Sequence, residues 1–264
     1  MRRIKRTSNY EINVELKEDS FLKTPNPVQR GRVVATRLDE LAMELDALDE
    51  AVKHYVTGGQ PEQVADRAQG RLAAENIMED WQEPIMAAMA KAVTHNKGDV
   101  LEIGFGRGVA AEFVQTHTPQ SHTLIECNRA VIDEYFVPWR ETHKDQTINM
   151  VEGFWEDTLD GLGKFDGILF HTYPLSDDEY VERVQQSVTF AAHFFEHAAA
   201  HLKPGGRFTY LTMEEDSLSR AHQRLLLQHF DGYRVSKIDG LNIPQDTRDA
   251  HWAQSMVLIE TVGK

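Results

Sequence analysis

Cysteine and long apolar runs are the two clearest absences from this sequence. The only cysteine is Cys127, so no disulfide can form within the chain and no zinc site can be built from several cysteines. No apolar run approaches the roughly 18 residues that a membrane-spanning helix needs. The basic segment at residues 1–6 lacks the apolar region of a secretory signal. We therefore expect a cytoplasmic protein with no membrane partner.

Basic residues are also outnumbered by acidic residues. The 264 residues include 28 Lys and Arg against 42 Asp and Glu, which gives a formal net charge of -14. Nucleic-acid binding draws most of its affinity from basic side chains that neutralise phosphates, so no nucleic-acid partner is expected. The length and the 41% share of hydrophobic residues suit one large domain, or one domain with an accessory segment.

The first part of the chain has the apolar spacing of helices. Within Gly31–Tyr55, apolar residues follow one another at alternating steps of four and three, at Val34, Leu38, Leu41, Leu45, Leu48, Val52 and Tyr55. This helix either packs on the main domain or forms a homodimer contact. Further helices are predicted from Pro61 to about Met78 and from Ile85 to Val93. Residues 1–77 are therefore predicted to be a helical extension.

Residues 78–264 have the pattern of an α/β domain. Strands are predicted at Val100–Ile103, His122–Glu126, Phe165–Phe170, Gly206–Leu211 and Ser255–Glu260, and helices at Ala110–Gln115 and Asp178–His201. Strands that alternate with helices indicate a doubly wound, mostly parallel sheet with helices on both faces.

Three glycines, Gly104, Gly106 and Gly108, follow the first of these strands. Glycine there lets the backbone turn sharply and approach a ligand closely. A dinucleotide fingerprint would need its third glycine one residue later, where Val109 stands. Glu102 precedes the loop, and a carboxylate there disfavours a pyrophosphate but suits the ammonium and sulfonium of S-adenosylmethionine. The loop therefore predicts a methyltransferase that uses this cofactor.

Two later strand ends support the same cofactor. Glu126 ends the second strand about 20 residues after Gly104, the offset at which an acid accepts hydrogen bonds from both ribose hydroxyls. Gly153, Phe154 and Trp155 follow the third strand and are predicted to frame the adenine ring. Trp155 could equally belong to the core.

With these residues in place, the chain resembles the guanidinoacetate N-methyltransferase family and its arginine-methylating relatives. The resemblance extends from about Met78 to the C-terminus, and its motifs are Met78–Pro84 (MEDWQEP), Leu101–Gly106 (LEIGFG), Ile125–Asn128 (IECN), Glu152–Asp157 (EGFWED), Phe165–Ser176 (FDGILFHTYPLS) and Leu202–Gly206 (LKPGG).

The resemblance implies a seven-stranded class I methyltransferase fold, with S-adenosylmethionine as the cofactor and S-adenosylhomocysteine as its product. It places the methionyl group over Gly104 and Gly106 and a methionine, Met86, beside the cofactor. Phe105 and Cys127 lie inside the cofactor motifs and are expected at the same site. The N-terminal extension is expected to close over the site as a lid.

Two positions depart from the family pattern. The family has a glutamate after the motif tryptophan and an aspartate in its Tyr-Asp-Thr-Tyr-Pro motif, and these acids grip the guanidinium. Here the two positions hold Gln82 and His171. A guanidinium matches carboxylates bidentately, and removing one partner of a buried ion pair costs about 3–5 kcal/mol. Guanidinoacetate is therefore not the expected substrate.

The chemistry that remains is methyl transfer to a different acceptor. His171 is predicted to be the catalytic base, because an ordinary pKa near 6.5 would let it accept a proton at neutral pH. Gln82, Thr172 and Tyr173 are predicted to bind the acceptor together with His171. We expect N-methylation of a small molecule in a specialised biosynthetic pathway. The alternatives are O-methylation of a hydroxyl or carboxylate, N-methylation of arginine or a peptide, and a non-catalytic cofactor-binding scaffold.

Histidines recur every four residues at His193, His197 and His201. Two of them could share a metal ion, but all three cannot, because the outer pair is about 12 Å apart along a helix. A partly exposed helical stripe is the preferred interpretation, and no metal is expected.

Overall fold

The computed structural model describes residues 2–5, 11–14, 70–212, 214, 217–244 and 256–264. The chain divides into two compact units, Met1–Pro61 and Glu62–Lys264. In the first unit, strands β1 (Arg2–Lys5) and β2 (Glu11–Val14) form an antiparallel pair. The predicted helix Gly31–Tyr55 lies outside the described residues, as does the homodimer contact assigned to it. Most of the N-terminal extension expected to form a lid also lies outside them, and the lid stays a prediction. The division of the chain at residue 77 stays a prediction.

The second unit alternates strands and helices. Its strands are β3 (Asp99–Ile103), β4 (Ser121–Glu126), β5 (Ile148–Glu152), β6 (Phe165–Phe170), β7 (Leu202–Leu211), β8 (Gly232–Ile238) and β9 (Met256–Val262). Its α-helices are α1 (Ala74–Ile77), α2 (Glu83–Val93), α3 (Val109–Thr116), α4 (Arg129–Val131), α5 (Val137–Thr142), α6 (Trp155–Thr158), α7 (Asp177–Tyr180), α8 (Phe195–His201) and α9 (Arg220–His229). No helix in this described part of the chain is long and apolar enough to cross a membrane.

Shorter helical turns join these elements. Short π-helical segments extend α4 and α7 over Ile132–Phe136 and Val181–Gln185. Tighter 3-10 turns lie at Asp80–Gln82, Leu159–Gly161 and Phe190–Phe194.

The seven strands form one sheet in the order β5-β4-β3-β6-β7-β9-β8. Strands β3 to β7 are parallel, whereas β9 runs antiparallel to β7 and to β8. This arrangement confirms the predicted seven-stranded α/β fold, including the insertion of the last strand beside its neighbours.

Side chains of β3 alternate between two apolar clusters. Leu101 and Ile103 join the cluster that contains α8 and α9, while Val100 joins the cluster around α2 and α3. Because successive strand residues point to opposite faces, the two clusters lie on opposite sides of the sheet. Helices therefore cover both faces, which makes the sheet doubly wound.

Two predicted helices were wrong in extent. The helix predicted over Asp178–His201 is interrupted, because Gln186–Thr189 is not helical and Thr189 has an extended backbone. Of the helix predicted from Pro61 to Met78, the described part is helical only at Ala74–Ile77. By contrast, the helix predicted at Ile85–Val93 is present and begins two residues earlier, with Pro84 in its first turn.

Candidate active site

Two adjoining clefts open at the carboxyl ends of β3, β4 and β6. The first encloses about 730 Å³ of open space and the second about 470 Å³. Ligands of parallel α/β sheets bind at this edge. The two clefts share six lining residues, namely Gly104, Glu126, Cys127, Thr172, Tyr173 and Leu175.

Glu126 fastens the glycine loop to the end of β4. Its Oε2 accepts hydrogen bonds from the backbone N–H groups of Phe105 (3.0 Å) and Gly106 (3.3 Å), and its Oε1 accepts one from the N–H of Asn128 (2.8 Å). A carboxylate can accept about four hydrogen bonds, so one position remains for a ligand hydroxyl. The geometry therefore leaves room for one of the two ribose hydroxyls predicted to bind Glu126.

Glu102 is fully buried and lines the first cleft. Its Oε2 lies 3.0 Å from Nε2 of His122, but the pair lacks hydrogen-bond alignment, and neither oxygen has a hydrogen-bond partner among the described residues. Burial raises the pKa of Glu102, and the contact with His122 opposes that rise. A buried carboxylate without a partner is costly, and a ligand cation would relieve that cost. Glu102 therefore fits the ammonium group of the predicted cofactor.

The residues predicted to surround the methionyl group lie in the same cleft as Glu102. Met86, Gly104, Phe105 and Gly106 all line the first cleft, and Met86 is buried.

The residues predicted for adenine line the second cleft. Gly153, Phe154 and Trp155 are all part of its wall. Phe154 is exposed, whereas Trp155 is buried and packs edge-on against Phe194, with ring centroids 4.9 Å apart. Trp155 thus belongs both to the core and to the cleft wall, and Phe154 offers the accessible ring.

Cys127 lines both clefts beside Glu126. Burial and the adjacent Glu126 raise the pKa of its thiol to about 12. Cys127 is therefore a neutral wall residue at physiological pH, not a nucleophile.

His171, Thr172 and Tyr173 follow β6 directly. All three line the first cleft, and Thr172 and Tyr173 also line the second. The Nε2 atom of His171 is buried and has no hydrogen-bond partner in the part of the chain that the structure describes. Burial lowers the pKa of His171 to about 4. The expectation of an ordinary pKa near 6.5 is therefore wrong, and the imidazole is neutral at pH 7.

Gln82 is the one predicted site residue that lines neither cleft. It is buried, and its Oε1 accepts a hydrogen bond of 3.0 Å from the backbone N–H of Glu79. This contact is one half of a capping box at the start of the turn that leads into α2. The structure thus assigns Gln82 a local structural contact, and its role in substrate binding stays a prediction.

Several cleft residues were missed by sequence reasoning. Leu72, Asn76 and Ile77 bring the segment before α2 to the first cleft, and Glu179 lines the second. Asn128 also lines the first cleft and caps α4, because its Oδ1 accepts a hydrogen bond from Ala130 N at 2.9 Å. An asparagine directly before a helix is a recognisable cap signal.

The histidines of the predicted series make local contacts. His193 lines the second cleft and hydrogen-bonds the carbonyl oxygen of Phe190, while Nδ1 of His201 lies 2.9 Å from the carbonyl oxygen of His197. In the described ranges, no group of three His, Cys, Asp or Glu residues is placed to hold a metal ion.

Comparison with known proteins gives relatives that methylate. Protein arginine N-methyltransferase 2 of Emericella nidulans is 32% identical over 117 residues, which cover 42% of this chain and 27% of that protein. The protein of the same name from Saccharomyces cerevisiae is 32% identical over 110 residues, which cover 38% and 26%. The chain thus spans about a quarter of the length of these curated relatives.

A solved structure shares the fold. SMU.776, in complex with SAH, superposes with a TM-score of 0.52 at 10% identity, over 73% of this chain and 51% of that one. The sequence pattern of the family described as guanidinoacetate N-methyltransferase matches residues 56–238, which is more than half of the chain. The chain therefore belongs to the guanidinoacetate N-methyltransferase family.

Proposed function

We propose that this enzyme N-methylates a small molecule other than guanidinoacetate. The observation that carries the proposal is His171, a neutral imidazole at the position of the family's guanidinium-binding acid. Its buried Nε2 has no hydrogen-bond partner within the described residues, and His171 lines the first cleft. The acceptor is therefore expected to be a neutral group that hydrogen-bonds an imidazole.

The cofactor assignment rests on three groups of this chain. When bound, S-adenosylmethionine supplies an electrophilic methyl group on a sulfonium. Glu102 is the partner proposed for the cofactor's amino group, since its carboxylate is buried and without a hydrogen bond among the described residues. Glu126 is proposed to bind the ribose, and the exposed Phe154 to contact the adenine.

Charge around the second cleft argues against a tightly bound guanidinium. Its acids other than Glu126 are Glu156 and Glu179. Both contact the guanidinium of Arg183, and Glu179 also accepts a hydrogen bond from the backbone N–H of Leu175. These carboxylates are already paired, so a substrate guanidinium would have to displace Arg183.

His171 is proposed to orient the acceptor. A neutral imidazole can accept a hydrogen bond from an acceptor N–H, which points the nitrogen lone pair towards the methyl donor. The lowered pKa makes His171 a weak base, so its main contribution is expected to be positioning. Thr172 and Tyr173 line the same walls and are proposed to complete the acceptor site.

N-methylation of arginine in a peptide is the second candidate. It is supported by the arginine N-methyltransferases among the relatives. It is also supported by an acidic surface hollow next to Phe154, which would attract a basic peptide. The acids that line this hollow are Glu156, Asp157, Asp178, Glu179 and Glu182, and Arg183, which also lines it, pairs with Glu156 and Glu179.

The test is calorimetric binding of S-adenosylmethionine and S-adenosylhomocysteine, followed by a methyl-transfer screen. The screen covers amines, nitrogen heterocycles, guanidino compounds, hydroxyls, carboxylates and arginine peptides. Turnover of a neutral nitrogen acceptor would support the proposal, and turnover of arginine peptides alone would favour the second candidate. Cofactor binding without any turnover would favour a scaffold, and absence of cofactor binding would overturn the proposal.

A further inference from the structure

We propose that His122 is a positioning residue for the methyl donor, which acts with Gln115 to keep Glu102 a carboxylate that can bind the cofactor's amino group. This inference rests on the proposed binding of S-adenosylmethionine.

The three side chains form a buried row beneath the first cleft. Glu102 lies on β3, His122 on the neighbouring β4, and Gln115 on α3. Nε2 of His122 is 3.0 Å from Oε2 of Glu102, and Nδ1 of His122 is 3.0 Å from Nε2 of Gln115. Glu102 and His122 are fully buried, and Gln115 is 7% exposed. Of the three, only Glu102 lines the cleft.

Gln115 determines which nitrogen of His122 carries the proton. The side-chain nitrogen of an amide only donates hydrogen bonds, so Nδ1 of His122 must accept. A ring proton of His122 therefore sits on Nε2, the atom that faces Glu102. A small rotation of the ring would align this N–H with the carboxylate, which is already within hydrogen-bond distance.

The electrostatic setting explains why Glu102 needs this partner. Burial raises the pKa of Glu102 and the charge of Glu126 adds to the rise, whereas His122 lowers it. The remaining ionisable residues around the cleft are Arg107, Cys127, His171 and Tyr173. Without His122, Glu102 should take up a proton at a higher pH and lose its attraction for an ammonium group.

The experiment compares two ligands that differ in the group Glu102 is proposed to bind. S-adenosylhomocysteine carries the amino-acid moiety, and 5′-methylthioadenosine keeps the nucleoside but lacks it. Calorimetric affinities of both are measured between about pH 6 and pH 9 for the wild type, His122→Leu and His122→Gln. Glutamine retains an N–H that could reach Glu102, whereas leucine does not.

For His122→Leu we expect about a tenfold or larger loss of S-adenosylhomocysteine affinity, with 5′-methylthioadenosine affinity unchanged. As the pH is lowered, S-adenosylhomocysteine affinity should begin to fall at a higher pH in this variant than in the wild type. His122→Gln should restore part of the affinity. An equal loss for both ligands, or no loss for either, would overturn the role of His122. If the wild type binds neither ligand, the proposed function itself fails.

Discussion

Gly104 passes so close to His171 that a Cβ atom on the glycine would lie 2.6 Å from the histidine's carbonyl oxygen. The two residues follow β3 and β6, which are neighbours in the sheet, and the N–H of His171 donates to the carbonyl oxygen of Ile103. Gly104 also has a φ of 87°, which side-chain-bearing residues rarely adopt. The cofactor loop and the proposed acceptor site are therefore fitted to each other through backbone atoms.

Gly104→Ala should damage the site through this contact. The methyl group must displace the backbone of His171, and the positive φ adds strain, so we expect a loss of about 1–3 kcal/mol in the free energy of unfolding. Affinity for S-adenosylhomocysteine should also fall. Gly161→Ala is the matched control, since a Cβ atom there meets nothing within 4 Å. Urea unfolding and calorimetry measure both effects, and equal behaviour of the two variants would contradict the prediction.

Glu126→Gln should loosen the glycine loop. The carboxylate accepts hydrogen bonds from three backbone N–H groups, and an amide would turn its own donor towards at least one of them. A buried donor without an acceptor costs about 1–3 kcal/mol. We expect a loss of that size in the free energy of unfolding, together with weaker binding of S-adenosylhomocysteine.

Glu152→Gln is the control for Glu126. Glu152 lies directly opposite Glu126 on β5, but it is half-exposed and pairs with the exposed Arg129. Exposed ion pairs contribute about 0–1 kcal/mol, so this variant should keep both its stability and its ligand affinity. A comparable loss of stability and ligand affinity in the two variants would show that the hydrogen bonds from Glu126 to the glycine loop do not contribute more than an exposed ion pair.

The cofactor half of the site was predictable from sequence because its residues lie within one local pattern. The succession of a strand, a glycine turn and a helix fixes the positions of Glu102 and Gly104, and the end of the next strand fixes the position of Glu126. Gln82 was not predictable in this way, because its side chain turns back to the N–H of Glu79. The contact between Glu102 and His122 was also hidden, since it depends on the pairing of two strands that sequence periodicity does not align in register.

Acid should destabilise the protein through His171. Its pKa is about 4 in the folded chain because of burial, against about 6.5 when unfolded. Above pH 6.5 the His171 imidazole is neutral in both the folded and the unfolded chain, so its titration does not reduce the free energy of unfolding. As the pH falls from 6.5 towards 4, only the unfolded chain gains a proton, so the free energy of unfolding falls. At 1.36 kcal/mol per pKa unit, the loss is at most about 3 kcal/mol.

The measurement for this effect is urea unfolding at about pH 7.5 and about pH 5. His171→Gln should lose less stability between these two values than the wild type. His193→Gln should behave similarly, because burial and the charge of Arg183 lower the pKa of His193 to about 4 as well. A pH dependence that stays unchanged in both variants would show that these histidines titrate alike in the folded and unfolded chain.

Guanidino specificity should respond to position 171 and not to position 82. His171→Asp places a carboxylate on the wall of the first cleft, where the family has its acid, and one charge-assisted hydrogen bond should strengthen guanidinoacetate binding by about tenfold. Gln82→Glu should give no gain, because the new carboxylate can keep the contact with the N–H of Glu79 and so remain away from the clefts.

Calorimetry with guanidinoacetate in the presence of S-adenosylhomocysteine measures both variants, and retained S-adenosylhomocysteine affinity verifies that the site is intact. A gain from Gln82→Glu alone would mean that the side chain leaves its capping contact and reaches the substrate, so that both departures from the family, and not His171 alone, set the choice of acceptor.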